Sequence, residues 1–219
     1  MLRFLDIMFS ASALVVLTPL LLPVCLLLRF TGEGEIFYAQ TRIGLNGKTF
    51  RLLKFATMLK NSPKIGAGAI TVTNDPRVLP IGRFLRKTKI NELPQILNIL
   101  LGDMSIVGPR PLMQKQFGFY DDAAQKKIAS VRPGLTGVGS LVFRDEERFF
   151  DGNSNPDDIY QAKISPAKQM LELWYVDNVG LWLYLKLIIG TAVPVVLPNC
   201  DGSYILHKEV RERLNEILG

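Results

Sequence analysis

Histidine is almost absent from this sequence: His207 is the only one. A histidine-ligated metal centre and a Ser-His-Asp triad are therefore all but excluded. Cysteine is nearly as scarce. Cys25 and Cys200 cannot build a disulfide framework, and Cys25 lies inside an apolar run, which points to a reducing compartment. Acidic residues are missing from one long stretch. Residues 42–89 carry eleven Lys/Arg and one acid, Asp75, whereas the chain as a whole has a net charge of +6. So one-sided a block expects an anionic partner: a phosphorylated substrate, lipid head groups or nucleic acid. The plainer reading is a solvated basic face. No internal repeat or low-complexity tract is present. With 48% hydrophobic and 21% charged residues, disorder and fibrous classes are excluded. The 219 residues suffice for one medium domain, or a small domain with an appendage. A mean hydropathy of +0.20 on so short a chain also suggests that apolar surface meets lipid.

From Ile7 to Leu28 there is no charge over 22 residues. As a straight helix this is about 33 Å, enough to cross a bilayer core. It is a poor signal peptide, because the run is long, no Ala-x-Ala site follows it and Arg29 closes it. Thr18-Pro19 sits in its middle and Pro23 one turn later, so a bend is expected, with Thr18 able to bond a freed carbonyl. The helix either spans with a kink or enters, turns and leaves by the same face; composition alone slightly favours a span. In both cases the basic block after Arg29 places the remainder in the cytoplasm. A buried core helix is the bland alternative.

Downstream, Ile36 to Gln40 reads as a strand, Asn46-Gly47 as a hairpin turn and Lys48 to Phe55 as the returning strand. Asn61 to Asp75 reads as a loop, and Asp75-Pro76 as the start of a short helix towards Arg86. Leu93, Ile96, Leu97 and Leu100 describe an amphipathic helix that begins near Asn91 and is closed by Gly102. Gln114 to Val131 and Pro166 to Asp177 read as helices. Pro133-Gly134, Gly137 to Gly139 and Asp145 to Pro156 read as loops. Val179 to Pro198 is apolar but interrupted, and suits an interfacial helix with Trp174, Trp182 and Tyr184 at head-group depth. The tail, with Leu206, Val210, Leu214 and Ile217 on one face, is an amphipathic helix.

The chemistry concentrates in Arg86 to Gln95 and Gly102 to Pro111. Asn91 and Glu92 are expected at a helix N-terminus, which attracts anions. Arg86 and Lys87 precede them and Arg110 follows; arginine suits bidentate phosphate contacts. Among so many cations, Glu92 is either a salt-bridged structural carboxylate or a metal ligand and catalytic acid.

These segments resemble the bacterial sugar transferase family, the small monotopic phosphoglycosyl transferases. The resemblance covers nearly the whole chain: Phe37 to Gly44, Lys54-Phe55-Ala56-Thr57-Met58, Arg86 to Gln95, Gly102 to Pro111 and Arg132 to Gly137, in order. It implies an α/β fold, a small sheet surrounded by helices, resting on the membrane through an N-terminal re-entrant helix and interfacial amphipathic helices. The re-entrant break is matched by Thr18-Pro19, which overrides the preference for a span. The expected organisation is residues 1–30 as the membrane helix-break-helix, 31–200 as the cytosolic transferase domain and 201–219 as the C-terminal amphipathic helix. The implied location is the cytoplasmic face of the cell (inner) membrane.

The implied reaction transfers a phospho-sugar from a UDP-sugar to polyprenyl phosphate, giving a polyprenyl diphosphate sugar and UMP. In it, an Asp of an Asp-Glu dyad attacks the β-phosphorus, and the lipid phosphate then displaces the phospho-sugar from the acyl phosphate. A carboxylate nucleophile splits one displacement into two, which suits a soluble and a membrane-bound substrate sharing one site. Mg²⁺ is the implied cofactor, held by positions 91 and 92. The implied substrate-binding residues are Lys54, Thr57, Arg86, Lys87, Pro109, Arg110 and Pro111. Thr136, Arg144, Asp145 and Glu146 are read as lining the nucleotide-sugar side, against a plain loop role. A homodimer or glycosyltransferases of the same pathway are the protein partners left open. Nucleic acid is not expected as a partner, because no RNA-binding motif accompanies Phe50, Phe55 and Phe84.

Two positions depart from the family pattern. Ala56 stands where arginine is common. Asn91 stands at the nucleophile position, where aspartate is expected; an amide is neutral and a far weaker nucleophile, so the chain as written is expected to bind substrate without turnover. Asn91 is read as a deliberate Asp→Asn change, as the mark of a catalytically silent membrane scaffold, or as a sign that a neighbour such as Glu92 attacks instead.

Overall fold

The computed structural model describes residues 1–62, 65, 75–144, 146, 149, 156–196 and 208–218. The apolar run forms one helix, α1 (Leu2–Phe30), with Pro19 and Pro23 inside it. Thr18 donates its hydroxyl to the Leu14 carbonyl at 2.7 Å, a back-bond of the kind that bends helices. The carbonyl freed by Pro19 is that of Val15, so Thr18 does not serve the expected purpose.

β1 (Phe37–Ile43) and β2 (Thr49–Phe55) pair antiparallel, Phe37 opposite Phe55 and Ile43 opposite Thr49. The turn between them has Asn46 and Gly47 both at left-handed φ, 55° and 73°. Only residues tolerant of that region close so short a hairpin. α2 (Pro80–Lys87) begins later than expected. Asp75 accepts from the Arg77 amide at 3.0 Å, but Val78 then bridges Met58 and Leu79 N donates to the Thr57 carbonyl, so the backbone is extended as it reaches Pro80. Most of the Asn61–Asp75 loop lies outside the described residues.

Two corrections bear on the site. Asn91 and Glu92 do not open a helix: they lie in a separate 3₁₀ turn, Ile90–Glu92, entered through Lys89 at φ 61°. α3 (Gln95–Leu101) starts after Pro94 and ends, as expected, at Gly102 with φ 97°. The expected loop at residues 133–139 contains a strand instead. β4 (Gly134–Thr136) lies parallel to β3 (Ser105–Val107), a second two-stranded sheet.

The predicted helix over Gln114 to Val131 is two short ones. α4 (Gln114–Phe117) stops at Gly118, and α5 (Asp122–Ile128) is capped anew by Asp121, whose carboxylate accepts from Ala124 N at 2.8 Å. Then come α6 (Val138–Val142) and α7 (Pro156–Ile159), a π-helical turn at Tyr160–Ile164, α8 (Ser165–Asp177), α9 (Leu181–Val196) and α10 (Lys208–Leu218).

The main core joins Val107, Val138, Ile164, Leu171, Tyr175, Tyr184, Leu187 and Leu214. Tyr184 is therefore not at head-group depth; it is buried and bonds Asp6 of α1. Trp174 packs against the same core, whereas Trp182 is exposed. α10 docks on protein through Leu214; Leu206 lies outside the described residues. A smaller core joins Val24 and Leu28 of α1 to Phe55 and Leu85. The fold is mixed α/β, mostly helical around two small sheets.

Candidate functional site

The 3₁₀ turn, the end of β2 and the loop after β3 converge on Glu92. Its Oε1 lies 3.5 Å from Lys54 Nζ and 3.4 Å from an Arg110 guanidinium nitrogen. Burial opposes ionisation of Glu92, but Lys54, Arg110 and Lys89 outweigh it and bring its pKa down to about 2. Burial in turn lowers Lys54 to about 8, against the pull of Glu92. Arg42 and Arg86 add their fields to that of Lys54. Lys54, Arg110, Lys89 and Arg42 thus act on one ionised carboxylate, an excess of positive charge that suits a doubly charged anion.

Asn91 is buried beside this cluster, and its Oδ1 has no hydrogen-bond partner. A buried amide oxygen without a partner is uncommon, and a water or an ion is one of its ordinary explanations. Among the described residues, no three His, Cys, Asp or Glu side chains gather. A pair of oxygen donors, Asn91 Oδ1 and the Glu92 carboxylate, still fits Mg²⁺, which keeps several waters and takes further oxygens from substrate phosphates.

The Arg110 loop is held tightly. Gly108 N donates to Thr136 O, Gly134 N to Pro109 O, and Arg42 to Pro111 O at 3.2 Å. A Cβ at Gly108 or Gly137 would collide with the backbone of the opposite loop, so the two motifs pack main chain to main chain. Pro109 and Pro111 lie in this packed loop, and the Thr136 hydroxyl is hydrogen-bonded with that of Thr191 at 2.7 Å. Thr57 is buried, with its carbonyl accepting from Leu79 N. Arg86 reaches Met58 Sδ, whereas Lys87 points into solvent from the last turn of α2. Arg144 is half-buried just beyond α6. Asp145 lies outside the described residues.

Beyond Arg110 stands a second set of charges that the sequence reading missed, apart from Glu146. Lys168 meets Glu146 at 2.6 Å and stacks over the rings of Tyr160 and Phe143. Glu172 accepts the Arg110 amide at 3.2 Å, and its other oxygen has no partner. Burial pushes Glu172 up to about 7, against the pull of that amide and Lys168. Lys168 and Glu172 alternate with Ala167, Leu171 and Tyr175 on the buried face of α8. Charges on an apolar stripe were the signal available for finding them.

A family model described as bacterial sugar transferase matches residues 1–198. The exopolysaccharide production protein ExoY of Sinorhizobium fredii is 40% identical over 216 residues, covering 92% of this chain and 87% of that protein. A UDP-glucose:undecaprenyl-phosphate glucose-1-phosphate transferase of Caulobacter vibrioides is 34% identical, covering 92% and 71%. An undecaprenyl-phosphate galactose phosphotransferase of Salmonella typhimurium is 32% identical, covering 92% of this chain and 41% of its own length.

Proposed function

Since this chain belongs to the bacterial sugar transferase family, we propose that it moves a phospho-sugar from a UDP-sugar to polyprenyl phosphate at the cytoplasmic face of the inner membrane. The products are UMP and a polyprenyl diphosphate sugar, which begins glycoconjugate assembly. The observation that carries this reading is the Glu92 cluster: one ionised carboxylate under Lys54, Arg110, Lys89 and Arg42. Arg110 and Lys54 bind the diphosphate and spread its charge as the phosphorus–oxygen bond breaks. Asn91 Oδ1 and Glu92 would hold Mg²⁺, which when bound neutralises the diphosphate and the departing phosphate.

Monotopic attachment is part of the proposal. Both ends of α1 pack on the same folded body: Arg3 bonds carbonyls of α3, and Leu28 sits among Phe55 and Leu85. A spanning helix would have to place parts of one body on opposite sides of the bilayer. The middle of the helix, including Val15 and Val16, is exposed and suited to lipid.

On this reading the neutral Asn91 leaves the chain able to bind donor but nearly unable to turn it over. A second reading is favoured by the charge state of Glu92, which as an anion between Lys54 and Arg110 can itself attack the β-phosphorus. UMP release from a UDP-sugar, with polyprenyl phosphate and Mg²⁺, separates them. Asn91→Asp is expected to raise the rate by about a hundredfold or more. Equal rates, with loss in Glu92→Gln, would assign the attack to Glu92. Silence of both forms despite donor binding would mark a scaffold and defeat the transferase reading.

A further inference from the structure

α3, the Gly102 turn and β3 form an out-and-back unit. It leaves from Glu92 and returns to Arg110, and these two ends meet at 3.4 Å. One turn of α1 grips the unit's far end, separated from the cluster by the length of α3, about 10 Å. Arg3 spreads its guanidinium over the carbonyls of Ile99 at 2.7 Å, Leu100 at 3.1 Å and Met104 at 3.4 Å. The carbonyls of Ile99 and Leu100 end α3, where a cation is favoured. Three residues on, and so on the same helix face, Asp6 takes the other side. Its Oδ1 accepts from Ser105 Oγ at 2.9 Å, from Ile106 N at 2.9 Å and from the Tyr184 hydroxyl at 2.8 Å. Asp6 is 2% exposed. A carboxylate so buried is tolerable only when its oxygens are well bonded, and here three donors meet one of them. Directly after Asp6 the same helix enters its uncharged run.

We propose that Arg3 and Asp6 are positioning residues: through them the lipid-associated helix clamps the α3–β3 unit and fixes the approach of Arg110 to Glu92. The function of the clamp rests on the reading of that pair as the phosphate site. Attachment of the helix and competence of the site are then one linked property, since the polar grip and the lipid-facing surface belong to consecutive turns.

The test uses the full chain in lipid nanodiscs, with UDP plus Mg²⁺ as the binding probe and amide hydrogen exchange as a separate readout. Asp6→Ala is expected to speed exchange across residues 103–110 by about tenfold while α5 keeps its native rate. UDP binding should weaken by about tenfold, because the displaced loop carries Arg110. Arg3→Ala should act in the same direction. Asp6→Asn, which keeps the accepting oxygen, should recover most of both. Native exchange at Ile106, or native UDP affinity, in Asp6→Ala overturns the clamp. Should that variant lose structure throughout, Tyr184→Phe decides: a smaller rise confined to residues 103–110 supports the clamp and an unchanged rate overturns it. If the unaltered chain fails to bind UDP, the phosphate-site reading falls, while the exchange comparison still reports separately on the grip.

Discussion

Lys54 sits where its own charge is least comfortable. Burial drives its pKa down to about 8, and Arg110, Arg42 and Arg86 push the same way, with Glu92 alone resisting. The ammonium is therefore complete below about pH 8 and is lost as the pH rises through that value. A bound diphosphate favours the charged form and raises the pKa of Lys54 in the complex, so affinity weakens from the free-protein value upward until that higher pKa is reached. UDP affinity is expected to fall by about tenfold per pH step once Lys54 deprotonates in the free protein, and Lys54→Arg should flatten the profile, because a guanidinium stays charged throughout. Titration calorimetry between pH 7 and 10 checks this; an identical slope in both proteins would take Lys54 out of the anion site. Lys54, Glu92 and Arg110 were legible from the sequence because their motifs are local and dense in charge. Glu172 and Lys168 were not, because nothing local says that α8 turns these two of its charged residues towards the Arg110 loop, more than fifty residues away.

At the scale of elements, the same contrast recurs. The β1–β2 hairpin was readable because Asn46-Gly47 carries the turn geometry in its own chemistry. The single helix expected over Gln114 to Val131 failed for an equally local reason: Gly118 interrupts it and Asp121 starts a second one. β4 was hidden, since a strand of three residues exists only through its partner β3, which lies far back in the chain. The helix expected at Asn91 is a 3₁₀ turn because Pro94 delays α3, so the anion site rests on side chains and not on a helix terminus. The glycines of the two loops are held by contact and not by flexibility. Gly137→Ala places a methyl group against the Gly108 carbonyl, with no side chain there to yield. Its thermal midpoint is expected to drop by at least about 5 °C, and donor binding should weaken with it, as the Arg110 loop is pushed aside. A midpoint within a degree of the native protein would mean that the loops separate easily.

For the molecule as a whole, the decisive question is how a helix with a 22-residue uncharged run meets a bilayer when both of its ends pack on one folded body. Length and hydropathy alone would favour a span. Packing points elsewhere, because Leu2 and Leu5 contribute to the main core while Val24 and Leu28 contribute to the smaller one. Exposed apolar side chains lie between these ends, at Val15, Val16, Leu20 and Leu22; Phe30 is exposed at the end of α1 and Phe84 on the basic α2. An apolar arch flanked by cations matches a shallow insertion into one anionic leaflet. Single cysteines placed at Phe4 and at Phe30, both well exposed, test this in a background lacking Cys25 and Cys200. In inside-out vesicles, a membrane-impermeant maleimide is expected to label both positions, and in right-side-out vesicles neither. A crossing helix instead presents one position to each side. Labelling of Phe4→Cys and Phe30→Cys from opposite faces would therefore remove the arch, and with it the link between lipid attachment and the Arg3–Asp6 clamp.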